Sequence, residues 1–343
     1  MGAVTKVILI TGFLGSGKTT FLNRLVNQVP PDQKLMILMN EFGEVGLDGT
    51  LIEGDDFDML EISRGSIFCV CVKTDFIKSL NQIAHTIKPD LLIVESTGVA
   101  NPTALKKDLS LSIFHDRFLL TDQICIIDAA CFEDVYESYA SVEKQIESSS
   151  LFVINKIDLV SREQIETIKN LVRTHNSSAR FIETTFSNIP IEPFFSNTQK
   201  EEPVPDELAP LTDEKLEEAI QKLIENPDAD AVPPDRLLSA VYLWQGNDIQ
   251  AFKEVVSGLP KKLIRAKGVL GCRDKTYLFN LVMAQHVIEP YSPVKDCTAL
   301  MNNVVFIGPP EAISELETLN GKFPDLVKKS TFDPMQMQKA VNG

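Results

Sequence analysis

The sequence predicts an α/β fold, with a parallel β-sheet that carries helices on both faces and a smaller α+β domain after it. First, residues 1–199 alternate short runs of Val, Ile and Leu with helical patterns, which is typical of a parallel sheet buried on both faces. Second, an acidic, proline-rich stretch covers residues 200–235, and beyond it strands and helices follow in a different order. Third, the length of 343 residues fits two domains at roughly 150 residues each.

The strands and helices of the first domain are predicted from their apolar patterns. Helices are expected between the strands, because apolar residues recur there about every 3.6 positions, as they do from Phe76 to Ile87. Continuous apolar runs predict strands over Lys6–Thr11, Leu35–Asn40, Leu91–Glu95, Gln123–Ile127, Leu151–Asn155 and Phe181–Glu183. Residues 1–199 are therefore expected to form one α/β domain.

Residues 200–235 differ from the rest of the chain in charge. They hold twelve acidic against three basic residues and six of the nineteen prolines. An amphipathic stretch with Leu216, Ile220 and Ile224 predicts one helix that ends before Pro227. Because charge of one sign keeps a connecting segment extended and solvated, an acidic linker with one helix is favoured over a dedicated docking site.

The second domain is expected over residues 236–320. Its predicted strands and helices are Leu237–Leu243, Asp248–Val256 (helix), Lys262–Leu270, Thr276–Met283, Asn303–Ile307 and Pro310–Leu319 (helix). Residues 321–343 contain two prolines and scattered charge, so a loose tail is predicted there.

Composition excludes several classes of protein. A hydrophobic fraction of 44% with 24% charged residues is that of an ordinary globular chain. The net charge of −15 argues against a broad nucleic-acid surface or an anionic membrane as partner, because both need clustered Lys and Arg. No apolar run approaches the ~20 residues that span a bilayer, and no signal peptide is expected. Six cysteines are too few for a disulfide scaffold, so a cytoplasmic protein is predicted.

A glycine-rich motif follows the first strand. Gly12–Thr19 matches G-x-x-x-x-G-K-[S/T] with a strand before it and a helix after it, the context that this phosphate-binding loop requires. The glycines let backbone N–H groups face a phosphate, and the helix N-terminus adds partial positive charge. In catalysis, Lys18 is expected to reach the β- and γ-phosphates and Thr19 to ligate Mg²⁺. The predicted nucleotide-binding residues of this loop are Gly12, Gly15, Ser16, Gly17, Lys18, Thr19 and Thr20.

An acidic residue ends another apolar strand, Leu91–Glu95, and Gly98 follows three residues later. Many buried strands end in Glu, so this signal depends on the phosphate-binding loop that precedes it. In that context a carboxylate holds Mg²⁺ through its water shell, and a glycine N–H senses a γ-phosphate. Glu95 is therefore predicted as a catalytic Mg²⁺ residue and Gly98 as a nucleotide-binding residue.

The segment Asn155-Lys156-Ile157-Asp158 has the N-K-x-D pattern and follows an apolar strand. The aspartate of such a loop accepts hydrogen bonds from guanine N1–H and from the exocyclic amine. Adenine has an acceptor at the first place and nothing at the second, so it would leave a partly buried carboxylate unpaired at a cost of roughly 3–5 kcal/mol. Asn155, Lys156 and Asp158 are therefore predicted to bind the nucleotide and to select GTP over ATP.

Several segments together resemble the CobW-like family of P-loop GTPases, which is related to the HypB and UreG nickel-insertion GTPases. They are Thr11–Thr20, Asn40–Asp48, Glu95–Pro102, Asn155–Asp158 and Ile264–Gly268. The resemblance implies a P-loop NTPase domain with a CobW-type C-terminal domain, and GTP and Mg²⁺ as cofactors. It also implies GTP hydrolysis coupled to transfer or insertion of a transition metal, typically zinc or cobalt. The implied partners are a metal-requiring client protein or corrinoid system, and a second copy of the chain in a nucleotide-dependent oligomer.

The resemblance also implies two switch loops. Asn40–Asp48 is expected to be the first, with Glu44 or Asp48 as the residue that orients the attacking water. The segment from Glu95 to Gly98 is expected to be the second. Because the cysteine segment lies between the two, loss of the γ-phosphate is predicted to change the thiol geometry and release metal.

The cysteines depart from the family pattern G-C-x-C-C. In Gly65–Val72, Ser66 and Phe68 stand at two of the thiol positions. Counting from Gly65, only Cys69 falls on a family cysteine, and Cys71 is an addition beside it. A complete family thiol set is therefore absent from this sequence.

Cys69 and Cys71 are nevertheless predicted as ligands of a transition metal, Zn²⁺ or Co²⁺. In a C-x-C strand both side chains face one side with Cα atoms ~6.6 Å apart, and converging thiolates suit zinc. Glu41, Glu44 or a client ligand would complete the shell. Core packing and a redox pair are the alternatives. No ligand role is predicted for Cys125, Cys131, Cys272, Cys297, His85, His115, His175 and His286.

The sequence thus predicts a GTP-hydrolysing metallochaperone. The first alternative is a GTPase that serves cobalamin or a corrinoid protein without carrying metal on its own cysteines, which Ser66 and Phe68 favour modestly. A P-loop kinase is disfavoured, because the chain has no Arg-rich cluster and N-K-x-D is foreign to kinases. A GTP-gated metal sensor without useful turnover is the third alternative.

Overall fold

The computed structural model describes residues 4–40, 58–62, 70–98, 102–114, 116–190, 194, 214, 216–218, 220–221, 235–273, 275–283, 285–292 and 301–333. The described residues up to Asp235 belong to one compact unit, and those from Arg236 onward belong to a second. None of the helices in these ranges is long and apolar enough to cross a bilayer.

The first unit is a seven-stranded sheet with the order β3-β2-β4-β1-β5-β6-β7. Every strand pair in it is parallel. This order confirms the predicted P-loop NTPase type of α/β fold. The elements in chain order are β1 (Thr5–Thr11), α1 (Lys18–Val26), β2 (Leu35–Asn40), β3 (Asp58–Ile62), α2 (Val70–Gln82), β4 (Leu91–Glu95), α3 (Leu105–Leu109), β5 (Phe118–Asp128), α4 (Phe132–Ser138), α5 (Ala140–Ser148), β6 (Leu151–Asn155), α6 (Arg162–His175) and β7 (Arg180–Glu183).

The core of this unit explains why its central strands are continuous apolar runs. All five residues of β4 and of β6 are buried, since helices cover both faces of the sheet. On one face, Val7 and Leu9 of β1 belong to a cluster with Phe76 and Leu80 of α2, and all four are fully buried. Burial of one such side chain contributes about 1.5–3 kcal/mol. The sheet therefore holds its strand ends in fixed positions.

Two strands of the first unit differ from the prediction. β3 was not expected, because Asp58 and Glu61 interrupt its apolar run; it lies at the edge of the sheet, where polar residues are tolerated. β5 begins at Phe118 instead of Gln123. Its first half is only partly buried, so it lacks the continuous apolar pattern. The other predicted strands of the first unit agree with the structure to within one residue, whereas in the second unit the predicted Lys262–Leu270 begins three residues too early.

The predicted linker helix is also different from expectation. Residues 214, 216–218 and 220–221 are helical. Leu216 and Ile220 are only 7% and 4% exposed and belong to the core cluster of the first unit. The expectation of a solvated connecting helix is therefore wrong for these residues, because the apolar face of the helix is covered by the first unit.

The second unit is an antiparallel six-stranded sheet with the order β11-β10-β9-β12-β8-β13. Its core contains Tyr242, Trp244, Phe252, Phe279 and Phe306, which come from both strands and helices and confirm an α+β domain. The elements are β8 (Leu238–Trp244), α7 (Ile249–Ser257), β9 (Arg265–Cys272), β10 (Lys275–Val282), β11 (Gln285–Pro290), β12 (Asn303–Gly308), α8 (Pro310–Thr318) and β13 (Leu326–Phe332).

The expectation of a loose tail from residue 321 is wrong over β13. This strand pairs with β8, and its end residues Leu326 and Phe332 are buried. An ion pair of 2.8 Å between Arg236 and Asp333 fixes the residue after it. Sequence patterns missed β13 because two lysines interrupt its apolar residues; the equally unexpected β11 is a mostly exposed edge strand.

Candidate nucleotide site

The phosphate-binding loop connects β1 to α1 and is packed too closely for side chains at two of its glycines. Gly12 and Gly17 have φ angles of +134° and +108°. A Cβ at Gly12 would lie 2.2 Å from the backbone oxygen of Ile126, and one at Gly17 would lie 2.5 Å from Nδ2 of Asn155. Both the backbone angles and the space therefore require glycine. Gly15 also has a positive φ, +81°.

Lys18 is the first residue of α1, and its side chain is buried against the loop. Its Nζ donates to the backbone oxygens of Gly12 at 2.8 Å and of Phe13 at 3.3 Å. The ammonium thus lies beside the loop carbonyls, where it can interact with the negative charge of bound phosphates. Thr19 is half-buried and Thr20 is exposed in the same first turn. The structure therefore assembles all the predicted loop residues around one helix N-terminus.

The segment after β4 lies against this loop. Glu95 is 5% exposed and pairs in register with Ile10 of β1. A Cβ at Gly98 would lie 2.4 Å from the backbone nitrogen of Leu14, so the backbone of Gly98 touches the loop. Because β4 is the neighbour of β1 in a parallel sheet, the two strand ends meet at the same edge. This arrangement places Glu95 and Gly98 at the same edge of the sheet as the phosphate-binding loop.

Three buried hydroxyl groups fit a bound phosphate or hydrated Mg²⁺. The side-chain oxygens of Thr11, Ser16 and Thr97 are buried and have no hydrogen-bond partner among the described residues. Buried hydroxyls of this kind also occur elsewhere in the described residues, for example at Ser149 and Ser239, so these three are distinguished by where they lie. Two of these residues belong to the loop region and one follows Glu95. The donor set therefore fits a magnesium-bound nucleoside triphosphate, which Thr19 and Glu95 would hold through the metal.

Asn155 ends β6 and ties the phosphate-binding loop to the segment after β7. Its Nδ2 donates to the backbone oxygen of Ser16 at 2.9 Å, and its Oδ1 accepts from the backbone N–H of Ser187 at 2.9 Å. The side chain is 2% exposed. The hydroxyl of Ser187 also donates to the backbone oxygen of Gly17 at 3.3 Å. Asn155 therefore fixes the relative position of two loops that form the nucleotide site.

Lys156 and Asp158 follow at the surface. Lys156 has a left-handed backbone with φ of +62° and forms an ion pair of 2.5 Å with Asp128 at the end of β5. Asp158 lies in a short 3₁₀ turn, Ile157–Leu159, and is exposed. Its carboxylate makes no hydrogen bond or ion pair with the part of the chain that the structure describes. Asp158 is therefore accessible to a base.

Family models match both units of the chain. Residues 6–183 match the model described as CobW/HypB/UreG, nucleotide-binding domain, and residues 245–319 match the cobalamin synthesis protein CobW C-terminal domain. The chain belongs to the CobW-like family of P-loop GTPases. This family assignment confirms the sequence resemblance and makes GTP and Mg²⁺ the cofactors of the nucleotide-binding domain.

Curated relatives of this CobW-like chain match over part of their length. A zinc-regulated GTPase metalloprotein activator 1 from Dictyostelium discoideum is 28% identical over 54% of this chain and 47% of its own. The zinc chaperone YeiR from Escherichia coli is 31% identical over 54% of this chain and 57% of its own. The chain spans about half the length of the curated relatives it matches. A crystal structure of Zn(II)-bound YjiA GTPase from E. coli covers 94% of this chain and 99% of that chain at 22% identity, with a TM-score of 0.43.

Several residues of the site in the CobW-like chain were missed by the sequence prediction. Asp128 pairs with Lys156, and Gln145 of α5, which is 1% exposed, donates its Nε2 to the backbone oxygen of Gly98 at 3.0 Å. Ser187 is the third missed residue, through its contacts with Asn155 and Gly17. A strand-end rule would have found Asp128, which ends β5 as Glu95 ends β4. No local pattern marks Gln145 or Ser187, because their contacts are far away in sequence.

The predicted transition-metal site depends on a C-x-C strand for Cys69 and Cys71, with Glu41 or Glu44 completing the shell. Glu41, Glu44, Asp48 and Cys69 lie outside the described residues, so their predicted roles stay predictions. Cys71 lies in α2, which begins at Val70, so the C-x-C strand geometry is wrong for it. A short apolar run is ambiguous between strand and helix. Here the helical spacing of apolar residues that continues through Phe76 favours a helix over a strand.

The other described cysteines are free thiols. Burial raises the pKa of Cys125 to about 12. Burial, with the carboxylate of Asp128 nearby, raises the pKa of Cys131 to about 12. Burial also raises the pKa of Cys272. Thiols with raised pKa values are poor metal ligands and nucleophiles, as expected for packing residues.

Proposed function

We propose that this protein is a Mg²⁺-dependent GTPase that acts as a metallochaperone, and that it delivers or inserts a transition metal, zinc in the first place, into a client protein. The observation that carries the proposal is the assembled loop. Lys18, the backbone of Gly98 and the side chain of Asn155 all contact the loop that follows β1, and Asn155 begins the segment that contains Asp158. The names of the relatives support zinc as the metal.

The chemistry follows from charge placement. When bound, Mg²⁺ lowers the cost of charge that develops on the phosphate oxygens. Lys18 and the loop amides offset the same charge from the protein side, which is where most of the rate enhancement of phosphoryl transfer arises. We infer that the N–H of Gly98 senses the γ-phosphate, and Gln145 fixes the backbone of the same residue by donating its Nε2 to the Gly98 carbonyl.

Base selection belongs to Asp158. Its exposed carboxylate has no partner in the described chain, so it can accept the two N–H groups of guanine without first breaking another interaction. Lys156 is held by Asp128 and is therefore fixed before a nucleotide arrives. We propose that Glu44 or Asp48 orients the attacking water, and that Cys69, Cys71, Glu41 and Glu44 contribute to the transition-metal site.

A second candidate function is a GTPase that serves cobalamin or a corrinoid protein. Ser66 and Phe68 at two thiol positions of the family favour it, because they leave fewer ligands for a carried metal. In both candidates the client and a nucleotide-dependent homo-oligomer are proposals. We also propose a cytoplasmic location, with which the free thiols of the described cysteines agree. The described residues up to Asp235 are proposed as one domain, and those from Arg236 to Asp333, with β13 included, as the other.

Metal titration in two nucleotide states tests the proposal. The reduced protein is titrated with Zn²⁺ and Co²⁺ in the presence of GDP or a non-hydrolysable GTP analogue, with Cys69→Ser and Cys71→Ser variants as controls. A metallochaperone predicts tight binding that weakens in the variants and changes with the nucleotide, because a switch needs different affinities in its two states. Equal affinity in both states contradicts the coupling. GTP hydrolysis without metal uptake supports the corrinoid alternative.

A further inference from the structure

We propose that Glu143, Glu147 and His175 form a second divalent transition-metal site, on the surface formed by α5 and α6. One ligand atom from each side chain can be chosen so that all lie within 4.8 Å of one another. Two carboxylate oxygens and one imidazole nitrogen are suitable ligands for Zn²⁺ and for the neighbouring divalent ions of the first transition row. This site is independent of the cysteines and of the proposed function.

Helix geometry brings the three side chains together. Glu143 and Glu147 are four residues apart on α5, which places them on one face of the helix. His175 is the last residue of α6, and its Nδ1 lies 3.2 Å from Oε1 of Glu143. Sequence spacing could not reveal this cluster, because the histidine follows the first glutamate by more than thirty positions. We had expected His175 to have no ligand role.

Tyr136 of α4 orients the imidazole. Its Oη lies 2.7 Å from Nε2 of His175, and the two rings meet edge to face with centroids 5.8 Å apart. Phe132 stacks on Tyr136 from the other side at 5.8 Å. When Nε2–H donates to Tyr136, the lone pair of Nδ1 is directed to the two carboxylates. Metal-bound histidines almost always have such a partner on their second nitrogen.

The side chains can reach bonding distances. Ligand atoms at ~2.1 Å around a tetrahedral ion are ~3.4 Å apart, so the cluster needs to close by little more than 1 Å from its widest separation. The side chains of Glu143 and Glu147 are 46% and 36% exposed on the helix surface, so few packing contacts oppose a small movement. Lys144 forms an exposed ion pair with Glu147 at 2.8 Å. Exposed pairs of this kind contribute little, so this one would yield to a divalent ion.

Three protein ligands leave at least one coordination position to solvent. Structural zinc sites are closed by four protein ligands, whereas a site with an open position exchanges its metal or passes it to another ligand. A shell built from oxygen and nitrogen is also less selective for zinc than a thiolate shell. We therefore expect a single exchangeable ion that binds Zn²⁺ and Co²⁺ and is unaffected by thiol oxidation.

The test removes the cysteine ligands and measures metal alone. The full chain with Cys69→Ser and Cys71→Ser is titrated with Zn²⁺ against a chromophoric chelator, and with Co²⁺ by visible absorption. We expect one equivalent to bind. His175→Ala and Glu147→Gln should each weaken binding at least tenfold, and Tyr136→Phe should weaken it by about 10- to 100-fold through the lost second partner.

Two controls keep the result interpretable. His286→Ala removes an exposed imidazole on β11 and should leave the affinity unchanged within twofold. GTP binding serves as the folding control for each variant. If His175→Ala no longer binds GTP, the proposal is judged on Glu147→Gln, because Glu147 lies on the helix surface. Absence of metal uptake by the parent with Cys69→Ser and Cys71→Ser overturns the proposal. So does uptake that survives Glu147→Gln and His175→Ala, or a loss that His286→Ala reproduces.

Discussion

Replacement of Asn155 by alanine should separate the structural from the recognition part of the N-K-x-D segment. The side chain is 2% exposed and makes two hydrogen bonds of 2.9 Å, to the backbone oxygen of Ser16 and from the backbone N–H of Ser187. Asn155→Ala removes both partners at once. Each buried backbone group left without a partner costs about 1–3 kcal/mol.

Together the two losses should lower the free energy of unfolding by about 3 kcal/mol, because water that enters the space left by the amide partly replaces the lost hydrogen bonds. At about 2–4 °C per kcal/mol for a unit of this size, the melting temperature should fall by about 6–12 °C. GTP and ATP binding should weaken together, because the mutation loosens the phosphate-binding loop rather than the base contact. Thermal unfolding by circular dichroism and nucleotide calorimetry measure the two effects.

Asp158→Ala is the matched comparison in the same segment. Asp158 is exposed and has no partner in the described chain, so its removal should change stability by no more than about 0.5 kcal/mol. It should weaken GTP at least tenfold and leave ATP unchanged. A melting temperature of Asn155→Ala within 2 °C of the parent would refute the reasoning about Ser16 and Ser187. Equal effects of both variants on both nucleotides would refute the division of roles.

Three further predictions test other contacts. Gly12→Ala should abolish nucleotide binding in calorimetry, because its Cβ would lie 2.2 Å from a backbone oxygen of β5; binding at the parental level would contradict this. Gln145→Leu should lower kcat for GTP at least tenfold with little change in GDP affinity, because the carbonyl of Gly98 loses its buried donor; an unchanged kcat would count against it. A hydrogen bond from Lys169 lowers the pKa of Glu183 in the folded protein. The stabilisation from this pair is therefore fully present above the ordinary carboxyl pKa near 4.3, and it is lost as the pH falls through the lower pKa of the folded state. The difference in urea midpoint between the parent and Lys169→Met should therefore be larger at pH 7 than at pH 3.

The parts of the fold that the sequence could predict are those in which local pattern and burial agree. β4 and β6 are continuous apolar runs because both faces of a parallel sheet are covered, and their predicted bounds are correct. β3 and β13 lie at sheet edges, where acidic or lysine residues alternate with apolar ones, so no run marks them. Leu216 and Ile220 show the opposite error. The charged residues around them led to the prediction of a solvated helix, whereas its apolar face is buried in the core.

The candidate site divides in the same way. Lys18 and Glu95 were predictable because they lie at strand or helix ends next to a motif of fixed spacing. Asn155 contacts Ser16, which is 139 residues away in sequence, and Ser187, which is 32 residues away. Only the parallel arrangement of β1, β6 and β7 brings these segments together. A motif therefore predicts which residues belong to a site, whereas the division of labour among them depends on tertiary contacts.

Helix α5 shows how strongly tertiary contacts can override a local pattern. Gln145 is a polar residue with 1% exposure, a position that sequence alone would assign to solvent. It is buried because it satisfies the carbonyl of Gly98, while Tyr139 before the helix packs its ring 4.9 Å from that of Phe13 in the phosphate-binding loop. The carboxylate of Asp235 accepts from the first two backbone N–H groups of α5 at 2.9 Å each, where a negative charge is favoured by the helix dipole. One nine-residue helix therefore contacts the phosphate-binding loop, the segment after β4 and the last residue of the first unit. The burial of Gln145 is explained by its contact with Gly98 rather than by amphipathic pattern.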